Sequence, residues 1–158
     1  MTMLPITLTI AGAAALINVW LGLRVSLLRR RHHVSVGDGG NETVMTRMRA
    51  HANFAEYTPF FLILLALVEL ARGTHTALWI VAILYILGRL AHVFGMDRPA
   101  PNALRVGAMA LTWLCLLGLA AYALVIPYAD RAGPATTYAG SEARASTLSA
   151  TNWLDRRS

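Results

Sequence analysis

The stretch "RMRAHANFAEYTPFFLILLALVELARG" (residues 47–73) changes character at Tyr57, where charged and amide side chains give way to an uncharged apolar run. Read as a helix, it starts in water with Arg47, Arg49, His51, Asn53 and Glu56 and ends inside hydrocarbon. How a chain accommodates a polar segment against such a run decides the fold.

The composition points to a membrane. Of 158 residues, 56% are hydrophobic and 14% charged, too apolar a balance for an ordinary soluble domain. All 14 basic residues are Arg, against 8 acids, giving a formal net charge of +6. Nothing in the pattern implies a nucleic-acid partner; the Arg side chains instead mark the ends of apolar runs. Residues 1–23, 57–68, 76–88 and 106–129 carry no charged side chain. A hydrocarbon core about 30 Å thick is crossed by roughly 20 helical residues, so the first and last runs suffice alone. The second must take in part of "RMRAHANFAEY", and the third must include Arg89 and His92.

The expected architecture is therefore all-α: a four-transmembrane-helix bundle in an integral membrane domain over residues 1–128, with helices at about 4–28, 42–72, 75–95 and 103–126. The first run has no preceding Arg, is longer than a signal-peptide core and closes at Arg24, so it reads as a retained helix. "RRRHH" (29–33) ends it, "VSVGDGGNET" (34–43) forms a turn with Asn41 as the cap of the next helix, and "MDRPAPN" (96–102) breaks the chain again. Residues 129–158, rich in Ala, Ser, Thr and Gly without an apolar face, read as a disordered tail. Cys115 lies in the fourth run and reads as a packing residue. His32 and His33 lack neighbouring Asp, Glu or Cys, and no metal site is expected.

Short-loop arginines mark the cytoplasmic side. Arg29, Arg30, Arg31 and Arg98 place loops one and three there and both termini outside, with Arg72 on the opposite side. For a bacterial chain the compartment is the inner membrane. Trp79, Tyr122 and Tyr128 near span ends read as interface anchors.

Ionisable residues within spans are costly and mark function. Arg49, Asn53 and Glu56 recur at i, i+4 and i+7 and share one helix face; Tyr85, Arg89, His92 and Met96 do the same on the third helix. Arg105 stands at the mouth of the fourth. An internal network, with Glu56 pairing Arg49 or Arg89, is the plain structural reading. Three arginines nevertheless outnumber one acid, leaving positive charge for an anionic ligand. Guanidinium groups suit carboxylates, while Glu56 and Asn53 suit an ammonium and a peptide group. A small zwitterion with more than one carboxylate fits that inventory. Glu69, near the far end of the second helix, reads as water-accessible and close to Arg72.

The strings "RMRAHANFAEYTP", "LLALVELARG", "LYILGRLAH" and "LRVGAM" resemble the family of membrane-associated proteins in eicosanoid and glutathione metabolism, MAPEG, over roughly residues 4–126. The resemblance implies a homotrimer with glutathione, as co-substrate, bound between subunits near the cytoplasmic face. It assigns glutathione binding to Arg49, Asn53, Glu56, Tyr57, Arg89 and His92, with Arg29 or Arg30 a further basic contact; His51, outside that carry-over, reads either as a ligand contact or as an interfacial residue. It makes Arg105 the catalytic residue that stabilises the glutathione thiolate, since a nearby guanidinium lowers a thiol's pKa. Two departures stand out. Some members carry Tyr where this chain has Met96, and Ser where it has Val106. The implied activity is a glutathione S-transferase-like conjugation or peroxide reduction on a lipophilic substrate; the alternative is a non-catalytic ligand-binding or interaction protein of the same fold. No inverted repeat or broken mid-membrane helix supports a transporter.

Overall fold

The computed structural model describes residues 3–99 and 101–129. They form four helices, α1 (Pro5–Arg31), α2 (Glu42–Arg72), α3 (Thr76–Met96) and α4 (Ala103–Ala129), each long and apolar enough to cross a membrane. Met1–Leu124 make one compact unit; of Val125–Ser158 only residues 125–129, the end of α4, are described. The tail expected over 129–158 thus lies outside the described residues except for Ala129.

The helix limits follow from local chemistry. Asn41 caps α2 as expected, its side chain accepting from Val44 N–H at 3.0 Å. α1 does not close at Leu28 but continues through Arg29, Arg30 and Arg31, cations that suit the negative end of the helix dipole. It ends where His33 takes a positive φ of 55° and Val34 N–H returns to Arg29 C=O at 2.9 Å. Gly39, at φ 60°, is required next to it, because a Cβ there would stand 2.6 Å from a Val34 methyl.

The other end of α1 corrects the reading of Glu69. Leu4 offers no side-chain cap. Glu69 of α2, only 2% exposed, supplies one from across the bundle, accepting from Ile6 N–H at 3.0 Å and from Thr7 N–H and Oγ1–H at 2.8 and 2.7 Å. Thr74 Oγ1–H adds a fourth donor at 2.9 Å. A carboxylate with four donors at the positive end of a helix is satisfied without water. Spacing along α2 could not reveal this, since three of the four donors sit more than sixty residues away on another helix.

Ala14 and Leu21 of α1, Phe54 of α2 and Val93 of α3 form a buried core joining three helices, with Ile17, Leu62 and Ile86 packed against it. Above it Phe61 and Tyr85 stack at 3.7 Å, and Tyr85 Oη meets Thr58 Oγ1 at 3.2 Å, so the phenol is not left bare in the interior. α4 approaches α3 through glycines: a Cβ on Gly88 would lie 3.2 Å from Leu111, and one on Gly95 would lie 2.8 Å from Arg105 Cα and N. Small residues at such crossings let helix backbones come close in a bilayer. Large apolar side chains such as Leu16, Leu67, Leu114 and Leu117 cover the outside, as a lipid-facing surface requires.

Candidate functional site

At the end of the bundle where α2 emerges from its apolar run, a cavity of about 380 Å³ is lined by Met45, Thr46, Arg49, Ala52, Asn53, Glu56, His92, Met96 and Arg105. α2 contributes Arg49, Asn53 and Glu56 from one face, α3 contributes His92 and Met96, and α4 brings Arg105 from its first turn. Six of the residues singled out in the sequence therefore meet around one space. Its walls carry two guanidinium groups, one carboxylate and one amide, while Arg49, Glu56 and Arg105 remain exposed in the single chain.

Neither pairing of Glu56 with Arg49 nor pairing with Arg89 occurs among the described residues. Arg24 and Arg47 instead both turn to Asp97, just beyond α3; Arg24 approaches one oxygen and Arg47 Nε lies 3.8 Å from the other. Asp97 thus meets the neighbouring positive charge, and no ion pair joins the charged groups of the cavity wall among the described residues.

Arg89 does not line the cavity. It is 0% exposed, behind Asn53, with Nη2 donating to Asn53 Oδ1 at 2.8 Å and Nη1 to Thr112 Oγ1 at 3.5 Å. Its guanidinium carbon stands 5.7 Å from the Phe54 ring centre and 5.8 Å from that of Tyr57, within cation–π range. Thr112, which itself donates to Ala108 C=O at 2.9 Å, escaped the sequence reading. Its spacing of seven from Arg105, on the same α4 face, was the available signal.

Tyr57, expected in the site, is not among the lining residues of the cavity; its hydroxyl accepts from Trp113 Nε1–H at 3.2 Å. His51 faces α1 instead, with Nε2 3.0 Å from Asn18 Oδ1. Arg30 is exposed at the end of α1 and not among the cavity's lining residues, while the neighbouring Arg29 donates to Ser35 C=O.

A second groove, about 430 Å³, adjoins the first and shares Asn53, His92 and Arg105 with it; its other walls are Val106, Met109, Ala110 and Trp113 of α4. One side of the shared wall is thus charged and the other apolar, opening along a helix whose outer residues are hydrophobic. An ionic ligand and a lipophilic one can meet there with Arg105 between them.

The profile of the MAPEG family matches residues 7–125. Two relatives, each an "Inner membrane protein YecN", one from Escherichia coli strain K12 and one from Escherichia coli O6:H1, are 31% identical over 107 residues, covering 68% of this chain and 81% of theirs.

Proposed function

The chain belongs to the MAPEG family of membrane proteins, and from that premise we propose that it is a glutathione-dependent transferase or peroxidase acting on lipophilic electrophiles. The observation that carries this reading is the junction of a charged cavity and an apolar groove at Asn53, His92 and Arg105.

The donor set fits glutathione. Two cations and one anion on the wall complement a ligand with two carboxylates and one ammonium, and about 380 Å³ is within the size range of small-molecule sites. Arg49 holds a carboxylate, Glu56 the ammonium, and Asn53 a peptide group. When bound, glutathione supplies a thiol nucleophile. Arg105 stabilises that sulfur as the thiolate, and the groove of Val106, Met109, Ala110 and Trp113 receives the acceptor and keeps water from it.

Arg49, Glu56 and Arg105 are exposed in one chain, and a neighbouring copy closing over them accounts for polar groups at this depth. We therefore assign a homotrimer with the site between subunits. The cluster of arginines at this end supports a place on the cytoplasmic side of a bacterial inner membrane, with both termini outside.

A second reading, a non-catalytic ligand-binding protein, has its own support: Met96 lines the cavity and Val106 the groove, and neither offers a hydroxyl. Purified protein in detergent distinguishes the two. The enzyme reading expects glutathione binding, ultraviolet thiolate absorbance that Arg105→Ala abolishes, and turnover of an aryl halide or a lipid hydroperoxide. Binding without turnover supports the second reading, and absence of glutathione binding removes the first.

A further inference from the structure

Resting on the glutathione reading above, we propose that Asn102 is the positioning residue for Arg105, its amide clipping the end of α3 to the start of α4 so that the arginine's charge is fixed on the cavity wall.

Among the described residues no hydrogen bond or ion pair holds the Arg105 guanidinium; its placement comes from its backbone. That backbone is held by one side chain. Asn102 Oδ1 accepts from Arg105 N–H at 2.8 Å, while Asn102 Nδ2 donates to Gly95 C=O at 2.9 Å and to Pro99 C=O at 3.2 Å. The Asn102 carbonyl also accepts the N–H of Val106 at 3.4 Å, the first helical bond of α4. Any Ser, Thr, Asp or Asn can cap a helix, but only an amide accepts at one atom and donates twice from the other. The cap and the clip are therefore the same group.

Gly95 shows how tight the junction is. A Cβ there would stand 2.8 Å from both Arg105 Cα and Arg105 N, so the two backbones touch where the arginine leaves α4. Asp97, held by Arg24 and Arg47, ties the same turn to α1 and α2. The turn "MDRPAPN" is thus anchored at both ends, and Arg105 is its product. Coulomb attraction falls inversely with separation, so an arginine that drifts from the sulfur stabilises the thiolate less while leaving the carboxylate contacts in place.

The test uses the full-length protein in detergent or nanodiscs, with Asn102→Ala and Asn102→Ser beside wild type and Arg105→Ala. Both Asn102 variants are neutral, so any electrostatic change comes from the arginine's position. Glutathione binding is measured by calorimetry and thiolate formation by ultraviolet absorbance against pH. Expected is glutathione affinity within about threefold of wild type, with the thiolate midpoint of Asn102→Ala raised by about one pH unit, a tenfold loss of thiolate below the midpoint. Asn102→Ser, which keeps the cap without the double donation, falls between. A purely structural role lowers thermal stability without moving the midpoint. Either folded Asn102 variant with the wild-type midpoint overturns the positioning role and leaves the glutathione reading standing. Absence of glutathione binding in wild type, or an undiminished thiolate in Arg105→Ala, overturns the reading beneath it.

Discussion

Arg89 Nη2 donates to Asn53 Oδ1 at 2.8 Å, so a guanidinium with no exposed surface aims the amide that faces the cavity. The partner of this buried cation is an amide and not a carboxylate, assisted by Thr112 and the faces of Phe54 and Tyr57. Such a pairing covers part of the cost of burying the charge.

Arg89→Met removes the charge while filling much of its volume. Replacing a buried ionic group by an apolar one is often neutral for stability, whereas Asn53 loses the donor that orients it. The melting temperature should move little while glutathione affinity falls about tenfold, the equivalent of one hydrogen bond to a charged group. Thermal shift and calorimetry on the same preparation check both halves; a large loss of stability with unchanged affinity contradicts the aiming role.

Glu69→Ala should do the reverse. Three donors of α1 and Thr74 Oγ1–H lose their acceptor, which at about 1–3 kcal/mol for groups left unsatisfied is a substantial loss. Asn53 lies sixteen residues back along α2, roughly 24 Å at 1.5 Å per residue, so the cavity is remote. Denaturant or thermal unfolding in detergent should register the change, with glutathione affinity as wild type.

Gly95→Ala and Gly107→Ala form a matched pair. The first forces a methyl to 2.8 Å from Arg105 backbone atoms, while nothing lies within 4 Å of a Cβ on Gly107. Overpacking of this kind costs about 1–3 kcal/mol and shifts backbone, so Gly95→Ala should lower both stability and thiolate formation. In Gly107→Ala both should be retained, because alanine also favours the helix. Equal behaviour of the two variants in a thermal unfolding assay contradicts the close approach.

Trp113→Leu alters the groove without touching the charged cavity. Trp113 is 50% exposed, lines the apolar side and donates to Tyr57 Oη. Loss of its flat face should change kcat/KM most for bulky lipophilic acceptors, by about tenfold, as expected for one to two kcal/mol of apolar contact. Glutathione affinity should stay within about twofold. A uniform loss across small and bulky acceptors instead assigns Trp113 to holding Tyr57.

Much of this was legible from residue order. The uncharged runs set four spans, because hydrocarbon admits only helices with their backbone groups satisfied internally. The i, i+4, i+7 spacing of Arg49, Asn53 and Glu56 put them on one face, and the cap at Asn41 was readable from its position before the helix. Periodicity fixes which side chains share a face of a helix.

It does not fix what that face meets. Only the packing of α3 and α4 on α2 sent Arg89 inward to Asn53 and Thr112 while leaving Arg49 and Arg105 on the cavity wall. Only the crossing of α1 and α2 turned Glu69 from a water-facing acid into the cap of another helix. Asn102 looked like part of a turn until the approach of Gly95 to Arg105 gave its amide partners on both sides. The sequence determined a membrane bundle with a charged end; the rotation and approach of its helices decided which charges are buried, which are capped and which line the cavity. The reason is range: a helical repeat is set within a few residues, whereas the partners of a buried charge are chosen by helices dozens of residues apart.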